Sequence, residues 1–428
     1  MALDHQPRLS ALGVLRERDF RLFLSGWVMS YLGSQMTPVA VTFAVLGNGG
    51  SATDVGYVLM GESVPLVAFL LVGGVLADKL PRRAVMITAD LLRLASQGAL
   101  AVLLLTGRPA LWELVAAEAV VGLGWAFFAP AMTGLIPEVA SAPRLQQANA
   151  LNGLAQSAGT IVGPALAGVI VAVSNPGWAI AADAATYLIS AACLARVSVP
   201  LTRLAARSSF FSDLRSGWVE FRSRTWLWVI VVDFSFFHLI VFAPLIVLGA
   251  VVAKAHLGGA AAWGTILAAF GAGSVLGGLV MLRLRPSRPL RWAMLGMLPL
   301  AIPLALLALG APTAAVSAGT FVAGVGLAGF GTLWDTTMQR QVPAASLSRV
   351  SSYDWFGSVA LLPVGYAVVG PLAVLLGVSG ALWLAAAWLV ASSLVVLAVP
   401  SVRGLRAVDP GPGERGLPSG DRVGTQER

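Results

Sequence analysis

Apolar runs of roughly 20 residues recur along this chain almost without interruption, and that recurrence limits the fold more than any motif does. A helix of that length, rising about 1.5 Å per residue, crosses a hydrocarbon layer about 30 Å thick. Within lipid each backbone amide must be bonded inside the protein, which leaves helices or closed barrels. Runs this long and apolar on every side fit helices, since a soluble core helix carries only one apolar stripe. Twelve are predicted, at 20–46, 54–76, 84–106, 111–134, 146–173, 177–198, 226–251, 262–284, 291–310, 313–338, 349–376 and 379–399. Charged residues make up 11% of the chain, against about 25% in ordinary soluble domains. The expected fold is an all-α polytopic membrane protein with twelve transmembrane helices.

Charge placement gives the expected topology. With the N-terminus inside, the cytoplasmic segments and the span ends that border them, where Arg196, Arg283, Arg291 and Arg349 lie, hold 24 of the 28 basic residues. Arg21 and Arg93 fall within spans, and only Arg108 and Lys254 fall in external loops. This asymmetry is the positive-inside pattern, so both termini are expected in the cytoplasm of a multi-pass cell-membrane protein. It also disposes of a nucleic-acid partner, because the net charge of +8 is dispersed over alternate loops rather than gathered on one surface. No cleaved signal peptide is read before the first span.

The boundaries divide the chain into a cytoplasmic segment (1–19), a first six-helix bundle (20–198), a basic linker (199–225), a second six-helix bundle (226–399) and a tail (400–428) whose Gly, Pro and charge content fits disorder. Within the linker Phe211, Leu214, Trp218 and Phe221 recur at helical spacing, the pattern of an amphipathic helix on the inner membrane surface. The bundles look duplicated. A shift of 202 residues lays Gly122 on Gly324, Gly124 on Gly326, Leu145 on Leu347, Gly163 on Gly365 and Gly168 on Gly370.

Chemistry is excluded more readily than assigned. One cysteine, Cys193, permits neither a disulfide framework nor a cysteine metal site, and His5, His238 and His256 lack ligand spacing. No metal, cofactor or enzymatic activity is expected. A phosphate loop of the G-x-x-x-x-G-K-[ST] form is absent, which argues against an ATP-driven pump. Ionisable residues inside spans remain, at a cost of about 2.5–3.5 kcal/mol each, so each needs a reason. Asp90 and Arg93 stand one turn apart on the third span and are expected to form a structural pair near the turn that precedes it. Glu62, Glu118, Asp183, Asp233 and His238 lie deeper and are candidates for loading and releasing a coupling proton, since carboxylates held away from water can exchange protons near neutral pH.

The turn between the second and third spans reads Gly73-Gly74-Val-Leu-Ala-Asp78-Lys79-Leu-Pro81-Arg82-Arg83. It resembles motif A of the major facilitator superfamily, with Pro81 where the family usually has a second Gly. The fifth span carries Gly159-x-x-x-Gly163-Pro164-x-x-Ala167-Gly168, which resembles the superfamily's exporter-branch motif C with one Gly replaced by Ala167. Phe128-Ala-Pro130-Ala, Leu135-Ile-Pro137-Glu138, Ala148-Asn149-Ala-Leu and Asp90-Leu-Leu-Arg93 are similar to the enterobactin-exporter and macrolide-efflux-like branch. The proton antiporters' fourth-span arginine has Glu118 in its place. The resemblance implies a monomeric transporter that exports a small organic molecule against proton influx by alternating access, the alternative being a nutrient importer on the same fold. It makes Gly74, Asp78, Lys79, Arg82 and Arg83 a gate, and turns the first, fourth, seventh and tenth spans toward a central cavity. Tyr31, Gln35, Trp125, Phe128, Phe237 and Phe242 are then expected to line it.

Overall fold

The computed structural model describes residues 13–198, 210–284 and 286–407; these form helices joined by short turns, with no strand among them. In chain order the helices are α1 (Arg18–Ser34), α2 (Thr37–Gly47), α3 (Ala52–Lys79), α4 (Arg82–Thr106), α5 (Leu111–Val139), α6 (Leu145–Val173), α7 (Pro176–Ala195), α8 (Phe210–Ser223), α9 (Thr225–Phe237), α10 (Ala243–Val252), α11 (Ala260–Met281), α12 (Pro289–Met297), α13 (Ala301–Ala308), α14 (Thr313–Gln341), α15 (Ala344–Val359), α16 (Leu362–Ala398) and α17 (Pro400–Arg403).

Among the described residues ten helical stretches are long and apolar enough to cross a membrane. Two irregularities account for the difference from twelve. The first span is broken at Gln35–Met36, where Pro38 opens α2, so neither α1 nor α2 alone is long enough. Near the C-terminal end Arg349–Ala398 counts as a single stretch of 50 residues, about 75 Å if straight and far longer than a bilayer is thick. Gly377, at φ 72°, interrupts it and turns it into two crossings. The architecture is twelve crossings in two bundles of six, and the even count puts Gly13 and Ala407 at one end of the molecule, the terminal end.

Lipid-facing and protein-facing sides follow the sequence closely. On α4 the buried positions Met86, Ala89, Asp90, Arg93, Gln97, Leu100 and Leu104 recur at three- and four-residue steps. Leu91, Leu92, Val102 and Leu105 are exposed on the opposite side. This is the reverse of a soluble amphipathic helix: the polar stripe faces inward and the apolar one faces the bilayer.

The duplication is visible in the packing. Gly122 lies against the backbone of Glu62, so that α5 meets α3, and Gly324 lies against the backbone of Phe270, so that α14 meets α11. Gly163 abuts Leu32 and Gln35 of the first span, and Gly365 abuts His238 and Leu239 of the seventh. Gly168 meets Ala260 and Gly264 across the seam between bundles, and Gly370 meets Thr53 across the other seam. Each pair 202 residues apart makes the corresponding contact, within its own half for the first two pairs and across the two seams for the third. The seams are therefore α6 with α11 and α3 with α16. Their tight contacts at Thr53, Gly56, Gly168 and Gly264 lie toward the end opposite the termini, the far end.

Two expectations change. The tail does not begin as a loose segment at residue 400: α17 forms, Gln341 Nε2 donates to Arg406 O at 3.2 Å, and Ala407 N donates to Ser287 O at 2.9 Å. Residues 408–428 lie outside the described residues, as do 1–12 and 199–209. The expected linker helix is present as α8, and it packs on α15, where Trp218 and Phe221 flank Tyr353 at centroid distances of 5.5 and 5.9 Å.

Candidate functional site

The third span carries Asp90, Arg93 and Gln97 on one buried face, and the sixth carries Asp183, Thr186, Tyr187 and Ser190 on another. α4 and α7 pack together, so the two polar stripes meet inside the first bundle. Arg93 is fully buried and binds Asp90 at 2.5 Å. Its guanidinium lies 4.5 Å from the ring centres of both Phe128 and Tyr187 and 5.2 Å from that of Trp125. Gly124 of α5 leaves room for the arginine stem, which a Cβ there would strike. Cation and aromatic faces attract most strongly when water is excluded, as it is here.

Around this centre the other carboxylates arrive on separate helices. Glu118, on α5, accepts from Gln97 Nε2 at 3.1 Å. Asp183, on α7, accepts from Thr37 Oγ1 at 2.8 Å, which ties the start of α2 to α7. Tyr187 Oη lies 2.9 Å from Ser34 Oγ at the end of α1. The break in the first span thus presents Ser34 and Thr37 to the cluster. Glu62, on α3, is half-buried and sits in the electrostatic field of Arg93, Glu118 and Asp183. One guanidinium therefore acts on three carboxylates, Asp90, Glu62 and Asp183, and a fourth, Glu118, joins the cluster through Glu62 and Asp183. If all were ionised three negative charges would be uncompensated, a state that burial penalises by several kcal/mol per ion.

Several sequence expectations are redistributed. Asp90 and Arg93 do pair, yet they lie about 12 and 16 Å along α4 from the turn before it, inside the carboxylate cluster rather than beside the gate. Phe128 is fully buried, stacked on Trp27 at 5.8 Å beneath Arg93, and so belongs to the core of the first bundle instead of a cavity wall. Phe237 is likewise buried, against Phe234 and His238. Tyr31, Gln35, Trp125 and Phe242 are half-buried. Tyr31 and Gln35 pack on Gly159 and Gly163 of α6, whose Pro164 carbonyl meets Gly264 across the seam.

Asp233 and His238 stand apart, in the second bundle. Asp233 hydrogen-bonds Ser392 of the last span, on the side of α9 where Phe236 packs against Trp388. His238 Nδ1 is 2.8 Å from Phe234 O, and Phe234, Phe237 and Phe242 surround the ring. It opens a π-helical turn, His238–Phe242. Pro244 has no N–H to return to Ile240 O, which frees the helix to widen there.

At the turn between α3 and α4, Gly74, Asp78 and Lys79 lie on the last turns of α3, and their side chains are outside the described residues. Arg82 donates to Gly134 O at 2.8 Å and to Glu138 Oε1 at 2.7 Å. Arg83 donates to Leu194 O at 2.8 Å and Ala195 O at 2.5 Å, capping the C-terminus of α7. Both arginines are thus bound to helix ends of the first bundle.

Twelve spans in two matched bundles, with seams between the fifth and eighth and the second and eleventh, define a known architecture. Residues 9–414 match the family described as transmembrane secretion effector. The chain belongs to that family of the major facilitator superfamily. Among curated relatives it is similar to the multidrug efflux pump Tap of Mycolicibacterium fortuitum, 36% identical over 33% of this chain and 36% of the pump. It is also similar to macrolide efflux protein A of Streptococcus pyogenes, 23% identical over 61% of this chain and 65% of that protein. The matched regions thus span between about a third and two thirds of these relatives' lengths. These relatives are transporters, not enzymes. In fold the chain is similar to an inward-facing bacterial homologue of the iron transporter ferroportin (TM-score 0.66, 17% identity, 89% of this chain and 98% of that one). An inward-facing bacterial homologue of the lysosomal transporter Spinster has a TM-score of 0.68 at 14% identity, over 91% of this chain and 99% of that one.

Proposed function

We propose that this family member exports a small organic molecule across the cell membrane, driven by proton influx, with both termini in the cytoplasm. The observation that carries the proposal is the buried cluster in which Arg93 stands with Asp90, Glu62 and Asp183, and Glu118 joins through Glu62 and Asp183. A membrane protein has no structural need for four carboxylates around one cation, and their desolvation is costly. The charge imbalance is relieved by bound protons, and a site that must hold protons can pass them on. Glu62, half-buried on the helix that forms the seam with α16, is the exchange point with water; Glu118 and Asp183 are the storage groups behind it. Protonation of Glu62 changes the charge beside that seam, which couples the proton to relative movement of the bundles.

Orientation rests on the basic residues, 24 of 28 on the terminal side. On that reading the tight far-end contacts close the outer face. Half-buried Tyr31, Gln35, Trp125 and Phe242 supply aromatic surface and one amide to a bulky solute. The relatives' names support efflux of drugs, macrolides among them.

Whole-cell accumulation of a macrolide and of a lipophilic dye, with and without expression, tests the proposal. Export lowers cell content, and a protonophore abolishes the difference. A rise in content on expression identifies an importer instead, and a difference that survives the protonophore removes the proton.

A further inference from the structure

At the far end the bundles meet mainly through glycine against backbone, contacts that carry no charge. One polar bond crosses the same rim. Lys254 Nζ donates to Leu46 O, linking the end of the seventh span to the last turn of α2 in the other bundle. The final carbonyls of a helix carry its partial negative charge, so an ammonium is attracted to that position. The lysine stands in a second π-helical turn, Ala253–Leu257, which ends on Gly258 at φ 97° and is closed by Gly259 N donating to Ala253 O at 2.8 Å.

Two surface cavities, of about 560 and 300 Å³, flank this contact; Lys254 lines both, and each draws walls from both bundles. Lys254 is also one of only two basic residues on the far side, where topology selects against them. Its bond is built to break at low cost. Leu46 O also accepts from Gly49 N at 3.2 Å, so the carbonyl keeps a partner when the lysine leaves. The departing ammonium passes into an open cavity rather than into lipid.

We propose that Lys254 is a positioning residue for transport: a latch that holds the far gate shut and is released each time the pathway opens to that side. This rests on the alternating-access reading, in which the far side is extracellular. The test reads the gate without reading transport. In a Cys193→Ser background, Ala260→Cys places one thiol in the far seam at the wall of the larger cavity, where Ala260 is only 5% exposed, and the rate of labelling by a membrane-impermeant maleimide applied outside intact cells reports opening. Lys254→Met is expected to speed labelling about tenfold, the population shift that follows loss of one charge-assisted hydrogen bond. Lys254→Arg, which keeps the charge and the donor, is expected to label as slowly as the parent. Equal rates for the parent and Lys254→Met overturn the proposal, and so does an Arg variant as fast as the Met variant. Because labelling needs no substrate or proton gradient, either result leaves the export proposal to its own experiment.

Discussion

Replacing the partners of the buried ion pair separately and together measures how much of the first bundle depends on Arg93. The guanidinium has no solvent exposure, a 2.5 Å bond to Asp90 and two aromatic faces at 4.5 Å. Arg93→Met keeps most of the stem volume but removes the cation at the centre of the carboxylate cluster. The loss of the charged bond and of the aromatic contacts is expected to cost about 3–5 kcal/mol, the range for breaking a buried pair. Asp90→Asn should cost less, roughly 1.5–3 kcal/mol, because Glu62 and Asp183 remain in the field of the cation and one of them can ionise in its place. The double variant should be little worse than Arg93→Met, giving a coupling energy close to the cost of Asp90→Asn. Thermal unfolding of purified protein in one detergent, the parent and the three variants side by side, supplies the cycle. Effects that add to within about 0.5 kcal/mol would refute the reasoning, since independent sites behave that way.

Other outcomes follow from particular contacts. Asp78→Asn, at the proposed inner gate, should slow export several-fold at unchanged membrane abundance; unchanged turnover removes Asp78 from the gate. Gly122→Ala and Gly324→Ala push a methyl into the backbones of Glu62 and Phe270, so both should lower stability by about 1–3 kcal/mol, whereas Gly98, with open space beside it, should tolerate Ala. Burial pushes the Glu17 carboxyl up, but bonds from the Ser141 hydroxyl and amide and from Arg144 outweigh it and hold the group below its ordinary 4.5. Its stabilisation is therefore present above the unfolded value and is lost as pH falls through the lower folded one; Glu17→Gln should flatten that acid limb of the Tm profile.

The spans were legible because hydropathy at a fixed length is a one-dimensional signal, and the 202-residue register was legible because close helix contact needs glycine at set positions. Gly122 and Gly324 carry that information without any structure. The cluster was half-legible. Its carboxylates stand out in an apolar chain, and the three- and four-residue steps from Asp90 to Gln97 and from Asp183 to Ser190 mark two inward faces. What one sequence does not contain is which faces meet. Asp233 and Asp183 look equivalent in the sequence, yet only Asp183 shares a bundle with Arg93. Tyr187, Thr37, Ser34 and Gln97 were missed as parts of the site because single polar residues in spans pack helices in many ways; their positions on the stripes were the available signal. Pro244 was the corresponding signal for the π-helical turn at His238.

The central claim is that protons bound at the Arg93 cluster drive export. Purified protein in liposomes with a pH-sensitive dye inside, challenged with a transported drug, measures proton movement per drug moved. The wild type should move protons opposite to drug, and a variant combining Glu62→Gln, Glu118→Gln and Asp183→Asn should still bind drug while moving no protons. A triple variant that keeps the wild-type proton-to-drug ratio would contradict the account.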